Sequence, residues 1–498
     1  MEKKTDDIMN VDVINEGEQN TGDQPIKESI VDKLKKNVKL IEEAVRQKEP
    51  RLISSRLLRQ TQALKKDLTP QGIVDFVKSC IVSPSMEDDD MAGDSSPWSR
   101  IQGLLMECSS FGEGVDWSPL PADTEDTSPG RNVQTEAELY VYVVSSMYVV
   151  EKKAWPEVLK VCQAGIDVVM EFNSRIIDSL GARLYSYMSL AAEKMGNLGQ
   201  IRGVLLKLHR TAVLRHDAIG QETLLNLLLR NYLAYKLYNQ AEALRAKAQP
   251  DVYRSSAQHC RLLYYHGRIQ AVLLEYSEAK EALVQASRKA PQSATGFRLQ
   301  VAKWLVVVRL LLGEVPTRAE LAPADLRTMM KPYYEVARAV GEGDVSAFNT
   351  IAEKYQDTFE RDDLKHVVAR LKANVIRSGV RRIATAYSRI SLSDISNKLG
   401  IQNVSDTEYI VAKAIRDGGI TAELDHETGI MTCSSVSDVY STDEPLQAFH
   451  ARIAFCLDIH NEAYKAIRHD PQKKTWNEDP ASKDAVSIED ALEAFFDD

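Results

Sequence analysis

The stretch that decides the fold is Ser391-Leu-Ser-Asp394 through Ile467. Ser391 and Asp394 form an S-x-x-D box, with the serine capping the first amides and the aspartate at the positive end of the helix. Leu392, Ile395 and Leu399 then line one face of a short helix that Gly400 stops. Ser405-Asp-Thr-Glu408 is a second box, opening a helix that buries Ile410, Val411, Ala414 and Ile415 and ends at Asp417-Gly418-Gly419. Ile420, Ala422 and Leu424 alternate as a strand, Asp425 to Gly429 turns, and Ile430 to Cys433 returns. Helix, helix and ribbon in this order describe a winged helix.

Two readings compete for such a module. A DNA-reading winged helix sets its second helix in the major groove, where phosphates demand Lys and Arg. Here Asp406, Glu408 and Asp417 oppose Lys413 and Arg416, and the ribbon tip adds Asp425 and Glu427. The turn that would approach the bases is acidic, so a packing and pairing module is favoured over nucleic-acid binding.

A long helix follows from Pro445. Leu446, Phe449, Ile453, Cys456, His460, Ala463 and Ile467 recur at spacings of 3, 4, 3, 4, 3 and 4. That rhythm holds one stripe against neighbouring helices over three heptads. His460 falls inside it and reads as a hydrogen-bonded core histidine rather than a metal ligand.

Working outward, the 498 residues provide material for several domains or one long repeat array. The net charge of −10 is unevenly spread. Residues 86–130 carry 11 acids and one base, and residues 1–30 and 471–498 each carry 8 acids and 3 bases, which leaves the remaining body at about +10. The polar opening MEKKTDDIMN is no secretory signal, and the longest uncharged run, Leu139 to Val150, is too short to span a bilayer. Six scattered cysteines without CxxC pairs fit reduced thiols of the cytoplasm and nucleus.

Between about 133 and 385, short turns precede helix starts at Trp155, Leu198, Tyr238 and Tyr276, separated by 43, 40 and 38 residues. Gly341-Glu-Gly343 marks a further turn. Tyr238-x-x-Ala241 and Tyr276-x-x-Ala279 place a large residue and a small one as tetratricopeptide-like repeats do. Such repeats stack as a right-handed solenoid because none buries its own face alone. The Val141–Val144 and Val306–Val308 runs suit strands locally, but the helical period runs through them.

The expected organisation is a disordered acidic tail (1–25), N-terminal helices (26–83), an acidic surface-loop insert (84–130) in which Trp98 and Trp117 dock locally, an all-α solenoid of tetratricopeptide-like helix pairs (131–363), a winged-helix module (364–440), the long C-terminal helix (441–470) and an acidic tail (471–498). In that tail Ser487 opens a capping box, and Ile488, Leu492, Phe495 and Phe496 share one face of a short amphipathic helix suited to a basic groove on a neighbouring subunit.

Catalytic patterns are missing. There is no phosphate loop, no HExxH and no His-x-His pair. His209, His216 and Asp217 could suggest a proton relay, though a structural hydrogen-bond set is the favoured reading. No cofactor and no metal are expected.

Helical repeats, a winged helix and a terminal bundling helix, in that order, resemble the PCI-domain proteins. These are scaffold subunits of the proteasome lid, the COP9 signalosome and translation initiation factor three. Arg210-Thr-Ala-Val-Leu-Arg-His-Asp217, Gly220 to Leu233, Tyr387 to Ile395, Tyr409 to Gly418 and Ala448 to Asn461 are similar to the proteasome-lid branch. The resemblance covers about residues 30–470 and leaves the 86–130 insert and both tails unmatched. It implies a non-catalytic lid subunit that supports degradation of ubiquitinated proteins. Winged helices would pair edge to edge through Ile420, Ala422, Leu424 and Ile430, and terminal helices would bundle. The implied partners are other PCI subunits and the deubiquitinating subunit, with no membrane. The alternative is a nucleic-acid-binding PCI subunit of mRNA export, or a subunit of the other two complexes.

Overall fold

The structure is a computed structural model that describes residues 29–80, 97–111, 134–248, 254–317, 327–401, 403–433, 440 and 443–467. Two compact units are present.

In the first unit, α1 (Ile30–Gln47) is followed by a broken helical stretch over residues 50–66 and by α2 (Pro70–Cys80) and α3 (Pro97–Met106). The paired helices are α4 (Gln134–Lys152), α5 (Trp155–Glu171), α6 (Asp178–Lys194), α7 (Leu198–Leu214), α8 (Ala218–Ala234), α9 (Tyr238–Lys247), α10 (Ser256–Leu273), α11 (Tyr276–Lys289) and α12 (Thr295–Leu311). Next come α13 (Lys331–Glu342), α14 (Val345–Lys354), α15 (Gln356–Arg361) and α16 (Lys365–Ala386).

From α4 to α14 each helix packs on its neighbour in sequence, and α4, α6, α8, α10 and α12 also pack on one another in succession. That second contact makes a solenoid of the pairs. It also explains the missing apolar alternation: Tyr140 to Val144 are all buried because α4 is covered on several sides. The Val141–Val144 and Val306–Val308 runs are helical.

Six of the turns are built on one device. Lys153, Gly196, His216, Lys236, Leu274 and Gly343 all take left-handed backbone, each two residues before the next helix begins at Trp155, Leu198, Ala218, Tyr238, Tyr276 and Val345. A left-handed residue ends one helix and the chain reverses at once. Ala241 and Ala279, the small residues of the two Tyr-x-x-Ala starts, are fully buried where helices approach.

One hydrophobic core runs from Leu34 to Val375 without a break at residue 131. Tyr140 shows why. Its hydroxyl accepts a hydrogen bond from Asn37 Nδ2 at 2.8 Å and lies 2.9 Å from Thr61 Oγ1, while its ring meets Phe76 edge-on at 6.0 Å. Residues from three N-terminal segments thus converge on one solenoid tyrosine.

The insert expected as a surface loop over 84–130 needs correction. Its described part, residues 97–111, forms α3 and a helical turn at Ser109–Phe111. Ile101, Leu105, Cys108 and Phe111 are buried. The acids around them hide their helical spacing. Trp117 and the side chain of Trp98 lie outside the described residues, as do both chain termini.

The second unit contains the winged helix. It has β1 (Arg389–Ser391), the start of α17 (Leu392–Leu399), α18 (Val404–Arg416), β2 (Ala422–Asp425) and β3 (Ile430–Cys433), followed by α19 (Glu444–Ile467). The sheet order is β1-β3-β2, antiparallel throughout, with Ile390 and Leu424 both opposite the fully buried Met431. β1 was not expected from sequence, since three residues give no period and the strand exists through a partner distant in the chain. Ser391 caps α17 as expected, with its hydroxyl accepting from the Asp394 amide at 3.2 Å. The second box is displaced. The N-cap of α18 is Asn403, and Ser405 sits inside the first turn, because the buried Thr407 ties its hydroxyl and amide to the Asn403 carbonyl.

Candidate assembly interface

Among the described residues, α19 is the largest feature without packing. Its 24 residues include none that is buried. The stripe read from sequence lies open: Leu446 is 71% exposed, Phe449 61%, Ile453 58% and Ile467 79%, and Cys456, His460 and Ala463 are also exposed. His460, expected inside a packed core, is exposed because no described element covers this helix.

The sequence stripe was too narrow. Phe455, Leu457, Ile459 and Tyr464 are also exposed. At about 100° per residue they widen the apolar face to roughly 200° of the helix circumference, interrupted by Arg452 and His460. Gln447, Asp458, Asn461, Glu462 and Lys465 occupy the remaining side. A strict 3-4 template selects one seam and overlooks its flanks.

The ribbon behaves differently. Ile420 and Ala422 are buried, and Leu424 and Ile430 are half-buried. Ala422 and Leu424 share the inner face with the buried Met431, Ile420 precedes the strand, and Ile430 lies on the opposite face across from Asp425, with β2 packed against α18. What β2 can offer a neighbour is its backbone, since among the described residues it pairs only with β3.

The wing tip is held by its own polar groups. Asp425 accepts from the Thr428 hydroxyl at 2.7 Å and the Glu427 amide at 3.1 Å, and the Thr428 bond leads in holding its carboxyl below the usual range. His426 Nδ1 lies 2.5 Å from Glu408 Oε1, joining the tip to α18. On α18 itself, Tyr409 is 75% exposed and Val404 is exposed, whereas Asp406 at the first turn receives a bond from Asn403 Nδ2 at 3.0 Å. The outward side of this helix is apolar and acidic at its start, ill-suited to phosphates.

The histidine and acid groups of a would-be proton relay have structural roles. Asp217 caps α8, accepting from the Gly220 amide at 2.8 Å, while His216 is the left-handed turn residue before it. His209 is buried, and burial pulls its imidazole below the usual range. Burial pushes the Cys108 thiol up to about 11 and Cys162 to about 12, the opposite of an activated nucleophile. Among the described residues no cluster of His, Cys, Asp or Glu could hold a metal ion, and no helix is long and apolar enough to cross a membrane.

Three family models match along the chain. PSMD3-like N-terminal TPR repeats match residues 26–337, a PCI domain matches residues 352–435, and the C-terminal model of a proteasome regulatory subunit matches residues 438–498. The chain belongs to the 26S proteasome non-ATPase regulatory subunit 3 family. Among its relatives, homolog A of that subunit from Arabidopsis thaliana is 43% identical over 450 residues, covering 89% of this chain and 88% of the relative. A probable subunit 3 from Nicotiana tabacum is 44% identical over 449 residues, with the same coverage. A probable regulatory subunit rpn3 from Schizosaccharomyces pombe is 34% identical, covering 93% and 91% of the two chains. Within the subunit 3 family, the C-terminal region is the one that holds α19.

Two of the strings that carried the resemblance, 210–217 and 220–233, coincide with joints of the solenoid. Arg215 donates to the Val169, Phe172 and Met170 carbonyls at 2.9, 3.0 and 2.6 Å, closing the end of α5. Gln221 Nε2 reaches back to the Ala212 carbonyl at 3.0 Å, and Asn231 bridges the Leu198 carbonyl and Arg202 at 2.6 and 2.9 Å. Polar side chains at such joints satisfy helix ends that would otherwise be buried unpaired.

Proposed function

We propose that the chain is a non-catalytic scaffold subunit of the proteasome lid, supporting lid assembly and so the ATP-dependent degradation of ubiquitinated proteins. The observation that carries this reading is α19, a 24-residue helix with a broad apolar face and no buried residue. A single coiled-coil partner covers one seam. A face of roughly 200° calls for two or more neighbouring helices, as in the middle of a bundle. The free edge of β2 adds a contact of another kind, strand pairing with a second winged helix.

In this reading the solenoid is the arm, the wing pairs with other PCI subunits, and α19 enters a shared helix bundle. The scaffold positions the deubiquitinating subunit and contributes no reacting group. We place its work in the cytoplasm and nucleus, where free thiols such as the exposed Cys456 stay reduced.

Native mass measurement of the tagged chain purified from cells tests this. The expected species contains other proteasome regulatory subunits, PCI subunits and the deubiquitinating subunit among them. A free monomer, or a complex without those subunits, would overturn the reading.

A further inference from the structure

Three donors converge on one carboxylate where the 97–111 segment meets the solenoid. The Ser109 and Ser110 hydroxyls both donate to Glu157, and the Ser110 amide donates to Glu157 Oε2 at 3.2 Å. Glu157 lies in the first turn of α5. Burial would raise its carboxyl, but the serine bonds outweigh that and hold it below the usual range. Next to this clamp the segment buries Phe111, whose ring lies 5.2 Å from that of Tyr148, and Cys108. The Tyr148 hydroxyl donates to the Ser110 carbonyl at 3.4 Å.

The surroundings are acidic. Glu107 lies three residues before Ser110, and Glu113 and Asp116 lie three and six after it. Two cations lie close by: Lys160, 3.6 Å from Glu107, and Lys152, 5.6 Å from the Tyr148 ring centroid. Ser109 is exposed and Ser110 half-exposed. A serine flanked by acids on both sides is what an acid-directed protein kinase accepts.

We propose that the Ser109–Ser110 pair is a phosphoacceptor latch: a phosphate on either hydroxyl releases the 97–111 segment from α5. The kinase transfers the γ-phosphoryl group of ATP to the serine oxygen. The new bond is Oγ–P, the bond broken is that between the γ-phosphorus and its bridging oxygen, ADP leaves, and the hydroxyl proton passes to the kinase's base. The product carries nearly two negative charges and no donor at that oxygen. It faces the Glu157 carboxylate, and Lys160 is already engaged by Glu107. At the phosphorylated serine an attractive hydroxyl bond becomes a repulsive contact, and α3 loses its anchor at the Ser109–Phe111 turn.

The test uses the full chain, an acid-directed Ser/Thr kinase and ATP. Phosphate is located by mass spectrometry and opening is followed by hydrogen exchange. The expected result is phosphate on Ser109 or Ser110, with exchange over residues 97–111 roughly tenfold faster or more, and exchange in α6 and α8 unchanged. E157Q keeps an acceptor for the serines but removes the repelling charge, so its phosphorylated form keeps the segment docked. Absence of phosphate at both serines, phosphate without faster exchange, or equal release in E157Q would each overturn the proposal.

Discussion

Gly343 and Gly379 meet backbone to backbone. A Cβ on Gly343 would lie 2.4 Å from the Gly379 Cα, and a Cβ on Gly379 would lie 2.8 Å from the Gly343 carbonyl oxygen and 2.6 Å from Leu399 Cδ2. Gly343 also takes a φ of 70°, which closes α13 and starts the turn into α14. The contact seats α16 against that corner. G379A is expected to lower stability by about 2–3 kcal/mol, because the Leu399 methyl can shift but the Gly343 carbonyl is backbone and cannot rotate away. Thermal unfolding checks it, and an unchanged midpoint would mean the helices separate freely.

At the far end of the solenoid, Lys303 Nζ lies 2.8 Å from both oxygens of Asp362, and the Tyr333 hydroxyl donates to the same carboxylate at 2.7 Å. Both charged side chains are nearly buried. K303M leaves a buried carboxylate with one neutral donor, so a loss of about 3–5 kcal/mol is expected in denaturant unfolding.

Y140F removes one oxygen and leaves the buried Asn37 amide without that partner. The expected cost is about 1–3 kcal/mol. Limited proteolysis should then cut first among residues 48–70, between α1 and α2, since Tyr140 pins both sides of that stretch.

Asp178 carries a pH signature. Burial, followed by the nearby Asp217 carboxylate, raises its carboxyl to about 6 from an ordinary value of 3.8. A raised acid binds its proton more tightly in the folded state, so its contribution is full below about 4 and declines as pH rises through about 6. D178N should flatten the stability profile between those values. A profile identical to that of the unaltered chain would place the titration elsewhere.

Much of this was legible in sequence because the deciding signals are local. The helix starts at Trp155, Leu198, Tyr238 and Tyr276 announce themselves by turns, and the α19 stripe by its spacing. The misses are non-local or compositional. β1 exists only through its pairing with β3, from Arg389↔Thr432 to Ser391↔Ile430. α3 lay hidden because acids around Ile101 and Leu105 dominated the reading of the insert. Left-handed Lys153, His216, Lys236 and Leu274 perform a glycine's task, and no composition rule marks them. For the interface, alternation in the ribbon marked Ile420, Ala422 and Leu424 as a strand, but β2 begins only at Ala422, and Ile420 and Ala422 are buried within the module. The acidic tail bearing Ile488, Leu492, Phe495 and Phe496 lies outside the described residues.

The most direct measurement is incorporation of the F449D/I453D variant. Two carboxylates placed in the α19 face should reduce its share in purified proteasome regulatory particles at least tenfold, while the circular dichroism of the isolated chain stays unchanged because no residue of this helix is buried in it. Normal incorporation of the double variant would show that α19 does not hold the assembly together.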